Sequence, residues 1–191
     1  MNKQEIDIPI DAQQAANDAA LITQARALVN QGQLDEALHQ LEQAKELLPP
    51  GRRQAVLLSE IACVREINGE ADAALASHKE ALGIYETLGD LDGKANALWS
   101  LAKIEVRQQK WEEAFHHLAD SYTAFQKIGS LDGICLVGSD LGLMLCMASE
   151  KEQGIAILTR ARDGFKKLGW EKEAQQTQEL LDQVGKTPIR S

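Results

Sequence analysis

The stretch LGDLDGKANALWSLAKIEVRQQKWEEAFHHLADSYTAFQK, from Leu88 to Lys127, decides the fold. Two amphipathic segments, Asp92 to Arg107 and Trp111 to Lys127, flank a polar turn, and a glycine follows at Gly129. Apolar side chains that recur on one face at this length are typical of helices, and a polar turn between two helices lets them fold back on each other. The stretch therefore predicts a helical hairpin.

The same unit recurs along the chain at a fixed interval. Aromatic residues and glycines return every 40 residues, at Tyr85, Phe125 and Phe165 and at Gly89, Gly129 and Gly169. Self-similarity at such a period is typical of a solenoid, in which hairpins stack on one another. The glycines fit caps that end the second helix of each unit, and Asp90 and Ser130 fit N-caps of the helices that follow.

Turn signals divide the chain into four hairpins and a ninth helix. Repeats are predicted over about 11–50, 51–88, 91–128 and 131–168, with a capping helix over 171–184, so that the solenoid domain spans 11–184. A flexible arm is expected over 1–10 and a tail over 185–191. The arm is open to two interpretations, a frayed terminus or a segment that lies in a groove.

Composition and charge argue against several classes of partner. The net charge is −9, from 20 basic and 29 acidic residues, so no nucleic-acid partner is expected. No apolar stretch approaches the roughly 20 residues that span a bilayer, and the acidic amino terminus lacks the apolar core of a secretory signal. Three cysteines without a CxxC pair agree with a reducing compartment. We expect a cytoplasmic protein that does not contact the membrane.

No catalytic, cofactor or metal site is predicted. The chain has neither a phosphate-binding glycine loop nor a nucleophile elbow. The four histidines are interpreted as surface or groove-edge residues, since His116 and His117 diverge along their helix and no cysteine or carboxylate at helical spacing completes a ligand set. Cys63 is interpreted as a small apolar filler. The sequence thus indicates a non-enzymatic protein without cofactors.

A recurring set of small, large and turn residues identifies the repeat type. Each unit has a small residue in its first helix, a turn residue, a small residue early in its second helix, a large residue and another small one. The four sets are Ala25, Gly32, Ala37, Leu41, Ala44; Ala62, Gly69, Ala74, His78, Ala81; Ala102, Gln109, Ala114, Leu118, Ser121; and Gly142, Ser149, Gly154, Leu158, Ala161. This pattern resembles the tetratricopeptide repeat family, in a 40-residue variant similar to that of bacterial regulator and adaptor arrays.

The resemblance implies both a fold and a binding surface. The implied fold is all-α, a right-handed superhelical solenoid of four tetratricopeptide-like hairpins with a C-terminal capping helix. In the resembled family the first helices of the repeats line a concave groove, and partners bind there. The corresponding residues here are Arg26, Asn30, Cys63, Asn96, Trp99, Lys103, Arg107, Leu136, Ser139, Leu143 and Met147.

Trp99 is the leading candidate among these groove residues. An aromatic ring beside Lys103 and Arg107 can bury a ligand side chain while the two cations bind a carboxylate. The alternative is that Trp99 packs against the neighbouring first helix and meets no ligand. The family's clamp for chaperone tails is not expected, because Cys63 and Glu66 interrupt its pattern of cations and amides.

Three functions remain open from the sequence. The leading hypothesis is an adaptor or scaffold that binds a peptide or amphipathic helix of another protein, with Leu136, Leu143, Cys146 and Met147 as an apolar stripe for it. The second is a homo-oligomeric scaffold that self-associates through the apolar fourth repeat. The third is a regulatory module that senses a small ligand or peptide.

Overall fold

The computed structural model describes residues 10–148 and 150–186, with side chains from residue 16 onward. All regular secondary structure in this part of the chain is helical. Its nine helices are α1 (Ile10–Asn30), α2 (Leu34–Glu46), α3 (Arg52–Ile67), α4 (Ala71–Leu88), α5 (Leu91–Arg107), α6 (Trp111–Ile128), α7 (Leu131–Met147), α8 (Lys151–Leu168) and α9 (Glu171–Lys186). No helix within the described ranges is long and apolar enough to cross a membrane.

The first eight helices pair into four hairpins, over 10–46, 52–88, 91–128 and 131–168. Ile10, which the prediction assigns to the arm, is the first residue of α1, and α9 continues two residues beyond the predicted cap, to Lys186. The remainder of the predicted arm, the tail from 187 onward and Ser149 in the last hairpin turn lie outside the described residues. The all-α prediction is confirmed.

Left-handed glycines end the second helix of three hairpins, as predicted. Gly89, Gly129 and Gly169 have φ angles of 67°, 72° and 74°, a region that costs other residues energy because of their Cβ atom. The next helices carry side-chain caps. The amide of Gly93 donates to Asp90 Oδ1 at 2.9 Å, and the amide of Gly133 donates to Ser130 Oγ at 3.2 Å.

The chain divides into two compact units, Met1–Leu88 and Gly89–Ser191. In the first unit α1 packs on α2, α2 on α3 and α3 on α4. Its core combines buried small and branched residues, with Ala37, Leu41, Leu57 and Ile61 each no more than 2% exposed. The bounds proposed for a single solenoid domain over 11–184 stay a prediction.

The second unit repeats this packing with five helices. Helices α5 to α8 pack in sequence, and α9 packs on α8. Ala95, Ala102 and Ala114 are fully buried, which lets α5 and α6 approach closely while Leu118 and Phe125 fill the space beside them. Helix α9 covers the end of this core with its buried Ala174. The cap expected from the sequence is therefore present in this unit.

A candidate binding pocket in the second unit

A pocket of about 500 Å³ opens between α5, α6 and α7. The first helices of the third and fourth hairpins provide most of its walls, because residues one turn apart on each helix share a face. Its lining consists of Ala102, Lys103, Val106, Arg107, Trp111, Leu118, Asp140, Leu143, Met144, Met147 and Ala148. All of these belong to the second unit.

The floor and one wall of the pocket are apolar, and part of that surface is open to solvent. Val106, Leu143 and Met144 are partly buried there, whereas Met147 is 69% exposed and Trp111 is 49% exposed. Exposed apolar side chains gathered at a concave site are characteristic of interaction surfaces in soluble proteins. The pocket can therefore desolvate an apolar side chain of a ligand.

The polar part of the site is an ordered group at the pocket edge. The indole Nε1 of Trp99 donates to Asp140 Oδ2 at 2.7 Å, joining α5 to α7. The Lys103 ammonium lies 4.5 Å from the centre of the Trp99 ring, a cation–π distance. Since an ionised acceptor shortens and strengthens a hydrogen bond, this group fixes the edge of the pocket.

Asp140 lies in a mixed environment. The residue is exposed, yet the surrounding protein removes much of the hydration of its side chain, and this desolvation raises the pKa of its carboxyl. The indole hydrogen bond and the nearby Lys103 act in the opposite direction. The charges that line the pocket are thus two cations, Lys103 and Arg107, and one desolvated carboxylate.

Four of the predicted groove residues line this pocket: Lys103, Arg107, Leu143 and Met147. Trp99 stands beside it and contacts both Asp140 and Lys103, so its indole packs across to the neighbouring first helix, as the alternative interpretation expected.

Three further predicted residues of this unit do not line the pocket; they bond to the backbone of their own helix or pack in a core cluster. The carboxamide of Asn96 donates to the Asp92 carbonyl at 2.9 Å, and the hydroxyl of Ser139 donates to the Cys135 carbonyl at 3.0 Å. Leu136 packs against the cluster formed by α7, α8 and α9.

The other three predicted residues, Arg26, Asn30 and Cys63, belong to the first unit. Arg26 on α1 forms an ion pair with Glu60 on α3 at 2.5 Å, and the hydrogen bond from this pair raises the pKa of the guanidinium. Asn30 is exposed at the last position of α1, and Cys63 is exposed on α3. Since Arg26 is committed to Glu60, a ligand carboxylate there would have to compete with a carboxylate of the protein.

Asp140 and Trp111 are among the lining residues that the sequence reasoning missed. Asp140 had a signal, because it is the one charged residue in the apolar segment from Ile134 to Ala148, where a charge without a role would destabilise a helix that is half buried. No sequence signal marked Trp111. It is the first residue of α6, and whether such a residue faces the groove or the solvent depends on the preceding turn and on the angle between the helices.

The interpretation of all four histidines as surface residues is wrong for His78. Its side chain is 1% exposed, because it occupies the position at which the other hairpins carry the buried leucines Leu41, Leu118 and Leu158. His117 is partly buried beside Glu105, with 2.7 Å between Nδ1 and Oε2. His39 and His116 are exposed, as expected.

The repeat pattern has a counterpart among known protein families. Residues 53–127 match the family model described as tetratricopeptide repeat. Over this stretch the chain is similar to tetratricopeptide repeats. The matched segment runs from the second residue of α3 to the last but one of α6, which are the second and third hairpins, and it includes Trp99 and Lys103. The tetratricopeptide resemblance inferred from small residues and turns is confirmed.

Solved structures share the fold over most of the chain. A putative kinesin light chain from Podosopora anserina with nearly identical TPR-like repeats is 16% identical with a TM-score of 0.65, over 92% of this chain and 98% of that one. Aspartyl phosphate phosphatase F from Bacillus subtilis is 11% identical with a TM-score of 0.77, over 86% of this chain but only 44% of the phosphatase. MamA is 14% identical with a TM-score of 0.57, over 81% of this chain and 76% of that one.

These similarities establish the tetratricopeptide-like fold and no more, because the identities are low. The comparison with curated proteins gives no match. Folds of this type are typical of scaffolds for protein–protein interaction. The function of the present chain must therefore be argued from its own residues.

Proposed function

We propose that this protein is a non-enzymatic adaptor that binds an amphipathic helix of a partner protein in the pocket between α5, α6 and α7. The observation that carries the proposal is the combination of an apolar floor with two cations at its edge. An apolar helix face would bury its side chains against Leu143 and Met144, as in other helix-in-groove complexes. Met147, now 69% exposed, would become covered.

Charge defines the partner further. The whole chain has a net charge of −9, whereas the pocket lining carries two cations against one carboxylate. An acidic side chain of the partner would be repelled by most of the surface and attracted at this edge. We therefore expect the partner helix to carry a glutamate or aspartate next to its apolar face. A lysine at that place would be disfavoured by Lys103 and Arg107.

Catalysis is not part of the proposal. The pocket lining contains no serine, threonine, cysteine or histidine that could act as a nucleophile or general base. Its carboxylate, Asp140, is committed to the indole of Trp99. A cytoplasmic location belongs to the same proposal, supported by three cysteines that form no disulfide and by the absence of a membrane-spanning helix in the described ranges.

A panel of designed helical peptides tests the binding mode directly. The peptides share one apolar face and differ only in whether glutamate or lysine flanks it. The glutamate peptide should bind and alter the fluorescence of Trp111, which lines the pocket. The Lys103→Glu variant should reverse this preference, and Lys127→Glu, an equal charge change at an exposed position of α6 outside the pocket, should not. Equal binding of both peptides would contradict the proposed charge complementarity.

Crosslinking in cells identifies the natural partner. A photoreactive residue at Met147 should capture a protein, whereas one at Ile128, exposed on α6 outside the pocket, should not. Capture from Met147 should be lost when Leu143→Asp places a carboxylate in the apolar floor. Identical capture from both positions would argue against the pocket as the binding surface.

Two other functions are favoured by particular observations. Exposure of Met147 and Trp111 also suits contact with a second copy of the chain, which makes a homo-oligomeric scaffold the first alternative. A cavity of about 500 Å³ lies within the usual range of small-molecule sites, which makes a ligand-sensing regulator the second. A mass that doubles with concentration in light scattering, and falls in Leu143→Asp, would support the oligomer over the adaptor.

A further inference from the structure

We infer that Cys63, Glu66 and His78 form a binding site for a zinc ion in the hairpin of α3 and α4. The cluster lies in the first unit and is separate from the pocket described above. One thiol sulfur, one carboxylate oxygen and one imidazole nitrogen lie within 4.8 Å of one another. Cysteine, histidine and glutamate are among the residue types that bind zinc in proteins.

The distance between the nitrogen and the oxygen ligand fits a tetrahedral ion. Two zinc ligands with bonds of about 2.0 Å to the metal lie roughly 3.3 Å apart. His78 Nε2 and Glu66 Oε1 are 3.3 Å apart. The sulfur of Cys63 lies within 4.8 Å of both atoms, and rotation of this exposed side chain would bring it closer, because a sulfur ligand and a nitrogen ligand lie roughly 3.6 Å apart in such a site.

The position of His78 supports a ligand role. In the other three hairpins the equivalent position holds Leu41, Leu118 and Leu158, each no more than 2% exposed. His78 is 1% exposed; its Nε2 lies 3.3 Å from Glu66 Oε1, and its Nδ1 has no hydrogen-bond partner among the described residues. Burying an imidazole where leucine fits is unfavourable unless the ring makes a strong interaction. A bond from zinc to Nε2, the nitrogen beside Glu66, would supply that interaction and fix the ring, while Nδ1 would carry the proton of the neutral imidazole.

The neighbouring residues match this interpretation. Cys63 and Glu66 lie three positions apart, on one face of α3, and His78 approaches from the antiparallel α4. In the third hairpin, Lys103 occupies the position of Cys63 and the buried Leu118 occupies the position of His78. That hairpin therefore lacks this set of ligands. One ion would join α3 to α4, and this link would stabilise the hairpin.

Binding also balances in charge. The thiol of Cys63 would lose its proton to solvent, and the resulting thiolate and the Glu66 carboxylate would together neutralise the two charges of the ion. The imidazole would bind in its neutral form. Three protein ligands leave a fourth position, which water can occupy from the exposed side of Cys63.

Metal titration of the full chain in a non-chelating reductant tests the site. The probes are Zn²⁺, competed against a chromophoric chelator, and Co²⁺, whose thiolate charge-transfer band reports a bond to sulfur. We expect one ion per chain, a cobalt spectrum with that band, and a higher unfolding temperature with zinc. Zinc should also protect Cys63 from alkylation.

Variants separate this site from incidental binding. Cys63→Ser should lower zinc affinity by at least about 100-fold, because even loss of a residue that only supports a ligand costs 10–100-fold. His78→Leu should have the same effect and still fold, since leucine fills this position in the other hairpins. Cys146→Ser, a thiol change in the second unit, should leave zinc binding unchanged.

Three results would overturn the inference. Zinc affinity that survives both Cys63→Ser and His78→Leu would mean that other surface groups hold the ion. A cobalt spectrum without the thiolate band would exclude Cys63 as a ligand. One ion for two chains, with a doubled mass in light scattering, would assign the cysteine to a contact between copies. In each variant, an unchanged helical signal in circular dichroism shows that the chain remains folded.

Discussion

Replacing Gly154 by alanine should destabilise the protein, although the equivalent position holds alanine in the other three hairpins. Those residues, Ala37, Ala74 and Ala114, are all fully buried. At Gly154 a Cβ atom would lie 2.5 Å from the carbonyl oxygen of Gly142 and 2.9 Å from the amide nitrogen of Cys146. Both are backbone atoms of α7, so no side-chain rotation can relieve the contact.

The expected loss follows from two opposing effects. Ordinary contacts of a Cβ atom begin at 3.4 Å, so α7 and α8 would have to separate by roughly 0.9 Å at this point. Overpacking of this kind costs about 3 kcal/mol where backbone has to move. Alanine recovers about 1 kcal/mol through its higher helix propensity. The free energy of unfolding should therefore fall by about 2 kcal/mol.

Urea unfolding followed by tryptophan fluorescence measures this loss, because Trp99, Trp111 and Trp170 all belong to the same unit as Gly154. The control is Gly83→Ala in α4, where a Cβ atom would meet nothing within 4 Å. Circular dichroism should show that this control gains about 1 kcal/mol. A Gly154→Ala protein as stable as wild type would refute the argument that the close contact of α7 and α8 requires glycine.

Gln109→Gly should stabilise the third hairpin by roughly 0.5 to 1 kcal/mol in urea unfolding, because Gln109 has a φ angle of 60°, in the left-handed region that glycine adopts without cost. Asp132→Asn should destabilise the protein at pH 7 and have less effect in acid. The hydrogen bond from Ser130 lowers the pKa of Asp132 below its ordinary 3.8. The stabilisation by the ionised carboxylate is therefore present above pH 3.8 and is lost as the pH falls through the lowered pKa. A larger effect of this substitution in acid than at pH 7 would contradict the reasoning. Among the thiols of the metal-free protein, Cys63 should react first with a disulfide reagent, since it is exposed whereas burial raises the pKa of the Cys135 thiol; rapid reaction of Cys135 in the folded state would disprove this assignment.

The local structure of this protein could be predicted from sequence because its signals are local. A left-handed glycine such as Gly129, or a cap such as Ser130, acts on backbone groups within four residues of itself. The 40-residue period then extended these signals over the hairpins between residues 85 and 169. Gln109 shows the limit of such a pattern, since its turn has the glycine conformation without the glycine.

The candidate site was predicted only in part, for a physical reason. Periodicity assigned Lys103, Arg107, Leu143 and Met147 to one face of their helices, and these four do line the pocket. It could not show that the Trp99 indole would bond to Asp140, 41 residues away, because that contact depends on how far α5 and α7 lie apart.

What the sequence determined by itself is the order, the length and the facing side of the helices, since each follows from residues within one or two turns. What only the tertiary structure decided is which side chains of different helices meet: Trp99 with Asp140, and His78 with Cys63 and Glu66. The close contact between Gly142 and Gly154 belongs to the same class. Such contacts depend on interhelical distances and angles, which the packing of many small residues sets together.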